Sequence, residues 1–90
     1  MTGKRSRLEI YLEVLDVVRH DVDKPTRIMY AANISWKPLQ EIIATLLENG
    51  LIHEEETKLS KRYTITDKGK SALSYFRKAK ELILAEPMIP

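Results

Sequence analysis

The periodicity of the chain changes at one point. Up to Leu47 the apolar residues recur at i, i+3 and i+4; after Gly50 they fall into short extended runs, and from about Thr66 the helical spacing returns. Amphipathic helices and strands need different spacings to bury one face, so this order demands helices first, a two-stranded hairpin next, and a closing helix. The plain alternative is a small helical domain with a decorative hairpin.

Within the first part, two prolines place the helix starts. Proline lacks a backbone N–H and clashes with the carbonyl four residues back, so it is tolerated in a first helical turn and not in a helix interior. A first helix over Ser6 to about His20 carries Leu8, Tyr11, Leu15 and Val18 on one stripe, widened by Ile10, Val14 and Val17. Its end is marked by His20-Asp21-Val22-Asp23, and Asp23 or Lys24 caps a short second helix, PTRIMYAA, with Pro25 in its first turn. After Asn33 a turn of two or three residues leads to a third helix over about Trp36 to Asn49. Its apolar side is Leu39, Ile42, Ile43, Leu46 and Leu47, and Gly50 supplies the left-handed stop. Either Ser35 is the N-cap of this helix, with Pro38 third in line, or Lys37 is the cap and Pro38 the first residue. Both readings put Pro38 in the first turn, where its missing N–H is not needed.

Beyond Gly50, residues 51–56 and 61–65 read as the strands of a hairpin, separated by Thr57-Lys58-Leu59-Ser60. Thr66 or Asp67 then caps a last helix through Leu73, Phe76, Ala79, Lys80 and Ile83, stopped by Pro87. Gly69 falls in its first turn, where glycine costs a helix least.

Ninety residues suffice for one small domain and leave little room for a deep cleft. With 43% hydrophobic and 31% charged residues the chain has enough apolar material for a core, which argues against disorder. No cysteine is present, excluding disulfides, thiolate metal sites and a cysteine nucleophile and fitting a reducing cytoplasm. No apolar run approaches the roughly 20 residues that span a bilayer, and the N-terminus lacks a signal-peptide block. Net charge is only +2, but its distribution is uneven: Lys4, Arg5 and Arg7 at the start, Lys58, Lys61, Arg62, Lys68 and Lys70 near the hairpin, and acids at Asp16, Asp21, Asp23 and Glu54 to Glu56. The chain is expected to be two-faced rather than uniformly basic.

The order helix, helix, turn, helix, two-stranded wing, helix is that of a winged helix-turn-helix: an α+β, mainly α fold of three helices, wing and C-terminal helix. The segments PTRIMYAANIS, LLENGLI and YTITDKGKSAL resemble the archaeal winged-helix transcriptional regulators, and KRSRLEI with TRIMYAAN is similar to a small dimeric archaeal chromatin protein. The resemblance covers about residues 4 to 84 and implies a DNA-binding homodimer joined through a C-terminal antiparallel coiled coil. One departure bears on the dimer. From Lys68 to Ala85 is 18 residues, or roughly 27 Å of helix, before Glu86-Pro87, so a short pairing helix is expected in place of a long coiled coil. Residues 4–85 are thus read as the DNA-binding domain with its dimerisation helix, and 86–90 as a tail.

If the third helix enters the major groove, its reading face is Trp36, Lys37, Gln40, Glu41 and Ala44, with Ser35 at its start. Lys37 suits a phosphate or guanine and Gln40 an adenine edge. Glu41 opposes phosphate unless it accepts from a cytosine amine. Trp36 reads first as an anchor packed under the turn, because the resembling family carries an aromatic here, and second as a DNA contact. Arg27 on the second helix suits a phosphate better than Tyr30 does. Lys58, Lys61 and Arg62 make the wing a phosphate or minor-groove probe, although Glu54-Glu55-Glu56 precede it. Those acids face solvent or a basic partner. Lys4, Arg5 and Arg7 form either a basic arm or a solvated end.

Catalysis has little to work with, and an enzyme is a distant third reading. His20 and His53 fit no metal-ligand spacing, no Gly-rich phosphate loop occurs, and no cofactor or small-molecule ligand is implied. The expected function is that of a homodimeric, nucleoid-associated regulator or chromatin protein bound to double-stranded DNA. The alternative is a winged-helix protein-interaction module that binds no DNA.

Overall fold

A computed structural model describes residues 5–84. The elements are α1 (Arg7–Arg19), α2 (Pro25–Ala32), α3 (Trp36–Glu48), β1 (Ile52–Glu56), β2 (Lys61–Ile65) and α4 (Asp67–Leu84). The strands form an antiparallel hairpin with Ile52 opposite Ile65, Glu54 opposite Tyr63 and Glu56 opposite Lys61. The expected α+β winged helix-turn-helix is the observed one. The stop expected at Pro87 and the tail 86–90 lie outside the described residues.

One device ends each of the first three helices. At Asp21, Asn33 and Gly50 the backbone turns left-handed, with φ of 68°, 56° and 69°. In each case the next amide reaches back five residues to a helix carbonyl: Val22 to Val17, Ile34 to Met29 and Leu51 to Leu46. These are Schellman stops, which satisfy carbonyls that the helix end would leave bare. Only Gly50 was readable as such from composition, because aspartate and asparagine also occupy this region but serve many other roles.

The helix starts differ. Ser6 accepts from the Glu9 amide at 3.1 Å while the Ser6 amide donates to Glu9 Oε1 at 2.7 Å, a reciprocal capping box. The hydrogen bonds from Ser6 hold the Glu9 carboxyl below its ordinary pKa. Lys24, not Asp23, is the cap of α2, and it makes no side-chain bond. Ser35 is the cap of α3, which disposes of Lys37 in that role, but its hydroxyl bonds no amide of the helix. The reason lies in Pro38. It occupies the third helical position, whose N–H a capping serine would ordinarily meet, and proline has none.

The core gathers Val14, Leu15 and Val18 of α1, Ile28 of α2 and Leu39, Ile42, Ile43 and Leu46 of α3, closed by Ile52, Tyr63 and Leu73. Leu8, placed on the buried stripe by spacing, is 48% exposed because it stands in the first turn of α1, at the edge of the packing. β2 is fastened to the α1–α2 connection by the Tyr63 amide, which donates to the Asp23 carbonyl at 2.9 Å. Arg5 is neither a free arm nor a solvated end. Its guanidinium donates to the carbonyls of Ala32 at 2.9 Å and Asn33 at 2.8 Å and also pairs with Glu13, so it caps the end of α2 from α1's side.

The start of α4 locks onto the α3–β1 corner. The Thr66 hydroxyl donates to the Gly50 carbonyl at 2.7 Å and accepts from the Gly69 amide at 3.0 Å, and Lys68 Nζ donates to the Asn49 carbonyl at 2.8 Å. Gly69 is more than a tolerated first-turn glycine. A Cβ there would lie 2.2 Å from the Leu51 carbonyl oxygen and 2.7 Å from Ile65 Cγ1.

Three substitutions test these local geometries. Helix propensity alone would make Gly69→Ala a gain of up to about 1 kcal/mol; the backbone clash reverses the sign, to a loss of about 1–3 kcal/mol in urea unfolding. Ser6→Ala is expected to cost about 1 kcal/mol. Ser35→Ala, with no cap bond to lose, should change the urea midpoint far less.

Candidate nucleic-acid interface

α3 and the wing each present an exposed polar face. Because Leu39, Ile42, Ile43 and Leu46 all point inward, helical geometry turns Lys37, Gln40, Glu41 and Ala44 outward, and all four are exposed. Ser35 is exposed at the head of the same helix, its hydroxyl uncommitted to the helix. The hairpin runs back alongside α3 from its C-terminal end. Between them is a groove of about 400 Å³, with Trp36, Gln40, Ala44 and Leu47 of α3 on one wall, Glu54, Lys61 and Tyr63 of the wing on the other, and Pro25 of α2 at its edge. The structure thus brings together Trp36, Gln40 and Lys61. Trp36 meets the anchor reading only in part, since it lines this groove yet remains 44% exposed.

Arg27 and Tyr30 are exposed on α2, Tyr30 at 78%. The wing cations are not equivalent. Lys61 Nζ lies 3.4 Å from Glu54 Oε2, and Arg62 lies 3.7 Å from Asp23. Among the described residues Lys37, Arg27 and Lys58 form no ion pair. Sequence spacing alone missed the partners of Lys61 and Arg62: Glu54 is brought over by the hairpin register, and Asp23 by docking of β2 on the α1–α2 connection.

The Glu54 carboxylate also accepts from the Tyr63 hydroxyl at 3.5 Å. Hydrogen bonding and charge from Glu54 push the Lys61 amine above its ordinary pKa. Burial, then the neighbouring Glu54 charge, pushes the Tyr63 hydroxyl up. The wing as a whole is close to neutral, with Glu54, Glu55 and Glu56 set against Lys58, Lys61 and Arg62. Its tip is held by Thr57, whose amide donates to the Ser60 carbonyl at 2.8 Å and whose hydroxyl accepts from the Ser60 amide at 3.1 Å.

No group of three or more His, Cys, Asp or Glu that could hold a metal occurs among the described residues. No described helix is long and apolar enough to cross a membrane. His53 is exposed and Glu54 half-buried, as neighbouring strand residues on opposite faces should be.

This arrangement of helices and wing has a family. A family model described as winged helix-turn-helix matches residues 4–84, and the chain belongs to that family. Among curated relatives, the Methanocaldococcus jannaschii protein MJ0287 is 32% identical over 84 residues, covering 93% of this chain and 82% of the relative. The MJ0290 protein of the same organism is 38% identical over 80 residues; these are 89% of this chain and 36% of that longer relative. Sso10a-2, a DNA-binding protein from Sulfolobus solfataricus, has a solved structure that matches with a TM-score of 0.71 at 26% identity, covering 88% of this chain and 85% of that one.

The Glu54–Lys61 contact is open to direct measurement. Glu54→Gln should return the Lys61 amine toward the ordinary lysine pKa in an NMR titration. The sign is fixed: a raised lysine pKa stabilises the fold below the ordinary lysine range and ceases to do so as pH rises through the raised value, and the variant should lose that dependence.

Proposed function

We propose that this chain binds double-stranded DNA as a homodimer and acts as a transcriptional regulator or nucleoid-associated chromatin protein in the cytoplasm, without catalytic chemistry. Its working unit is residues 4–85, with 86–90 as a tail. The observation that carries this reading is the exposed N-terminal face of α3 beside the wing, in a winged helix-turn-helix chain. α3 enters the major groove, with Lys37 on a phosphate or guanine and Gln40 on an adenine edge. Trp36 lies against the sugar-phosphate wall. Ser35, freed by Pro38 from capping its own helix, presents its hydroxyl with the first amides of α3 to a phosphate.

Arg27 approaches the backbone from α2, and Lys58, Lys61 and Arg62 approach from the wing. Of these, Lys58 and Arg27 contribute most, because Lys61 and Arg62 must first exchange Glu54 and Asp23 for phosphate. The DNA-binding description of Sso10a-2, over most of both chains, supports the reading.

The dimer rests on α4. Tyr75 and Leu82 are one heptad apart and exposed, with Ile83 beside Leu82. Water-exposed apolar residues at this spacing fit a helix-pairing seam. The acidic strand leaves room for the alternative, a protein-docking module, since Glu55 and Glu56 are exposed.

Fluorescence anisotropy with duplex DNA over a salt series separates the two. Arg27 and Lys58 in each protomer, joined by Lys37, Lys61 and Arg62 where these take a phosphate, neutralise from about four to ten phosphates per dimer, so log affinity should fall with log salt at a slope between about −4 and −9. Changing Lys37, Lys58 and Arg62 together to glutamate should abolish binding, and Glu54→Gln should strengthen it. Absence of wild-type binding at low salt would overturn the proposal.

A further inference from the structure

Leu59 has no structural task. It is 94% exposed, at the summit of the wing, while the turn around it is closed by Thr57 and Ser60. Turn positions of this kind ordinarily carry Gly, Asn, Asp or Ser. Here an isobutyl group is held out into water instead, and its own amide is fixed by the Thr57 hydroxyl at 3.3 Å. Isolated surface leucines are common. What distinguishes this one is its position. The groove between α3 and the wing is lined by Trp36 and Gln40 on one side and by Glu54, Lys61 and Tyr63 on the other. From Glu54 the strand continues through Glu55 and Glu56 to the turn, roughly 10 Å further along the hairpin. Lys58 stands beside Leu59, and Lys61 and Arg62 stand behind it.

Resting on the DNA-binding reading above, we propose that Leu59 is an apolar wedge that enters the minor groove next to the site of α3 and partly unstacks a base step. Paired strands stand about 5 Å apart and the minor groove is about 6 Å wide, so the body of the hairpin does not fit and only its tip does. The outermost apolar side chain of that tip is Leu59. Leucine is among the side chains that wedge base steps apart from the minor groove. Lys58 meets the phosphates at the groove's edge, while the ion-paired Lys61 and Arg62 remain outside at the backbone. The steps that yield most easily are pyrimidine–purine steps, so this contact selects deformable sequence without reading a base edge.

The test uses a duplex of about 30 base pairs containing TA steps, with 2-aminopurine replacing adenine at one of them and a fluorescence-transfer pair on its ends. Wild-type protein should raise the 2-aminopurine emission and shift the transfer signal by a bend of roughly 20° or more. Leu59→Ala should bind with the same salt slope but with neither change, and Leu59→Met should retain both. Binding by the wild type without unstacking, or unstacking that survives in Leu59→Ala, would overturn the wedge and leave DNA binding intact. Failure of the wild type to bind the duplex at low salt would overturn both.

Discussion

The Thr66 hydroxyl donates to Gly50 and accepts from Gly69, and through this one side chain the end of α3 is tied to the start of α4. The contact lies where the chain turns from helix into wing, so it sets the direction in which the hairpin leaves α3. Lys68 adds a charged donor to the Asn49 carbonyl, at the negative end of the α3 dipole. Gly69 lets the backbone of α4 come within reach of the Leu51 carbonyl, an approach that a single methyl group would block. Three of the four residues in Thr66-Asp67-Lys68-Gly69 therefore act on the preceding elements. The wing is held a second time by the Tyr63 amide on the Asp23 carbonyl and by Ile52 and Tyr63 in the core, so this corner and that contact together fix its placement.

Charge on the wing is arranged to cancel locally. Glu54 holds Lys61, and Asp23, at the end of the α1–α2 connection, faces Arg62. Exposed pairs of this kind contribute little to stability, but they change what the wing offers to a polyanion. In the proposed complex an unpaired lysine gains a phosphate at little cost, whereas a paired one must give up its carboxylate. Affinity then resides with α3, Arg27 and the tip, and the acids temper indiscriminate binding. The same logic gives Pro38 a second consequence beyond tolerating a helix start. By removing the amide that Ser35 would have capped, it leaves a hydroxyl available at the head of α3.

Much of this architecture was legible in the chain. PTRIMYAA is α2, Gly50 ends α3, and the hairpin has the four-residue connection that the spacing implies. These features are local: proline geometry, a glycine after the last apolar residue, and the change from period 3.6 to extended runs act over a few neighbouring residues. The left-handed turns at Asp21 and Asn33 were less accessible, since neither residue type commits the backbone as glycine does. Arg5 was misleading as one of several N-terminal cations, because its partners Ala32 and Asn33 are 27 and 28 residues away. The outward face of α3 could be named from its apolar complement, but the groove that Trp36 and Gln40 share with Lys61 could not.

By itself, the sequence determined the order of the helices, the first turns of α2 and α3, which face of each helix is apolar, and that a hairpin must stand between the third and fourth. Those outcomes follow from backbone sterics and from burial periodicity, which are properties of short segments. Only the tertiary structure decided which carboxylates hold the wing cations and that Gly69 is a steric necessity. Each of these depends on distances between segments far apart in the chain, and those distances are set by packing around Ile28, Leu39 and Leu46 rather than by any local preference.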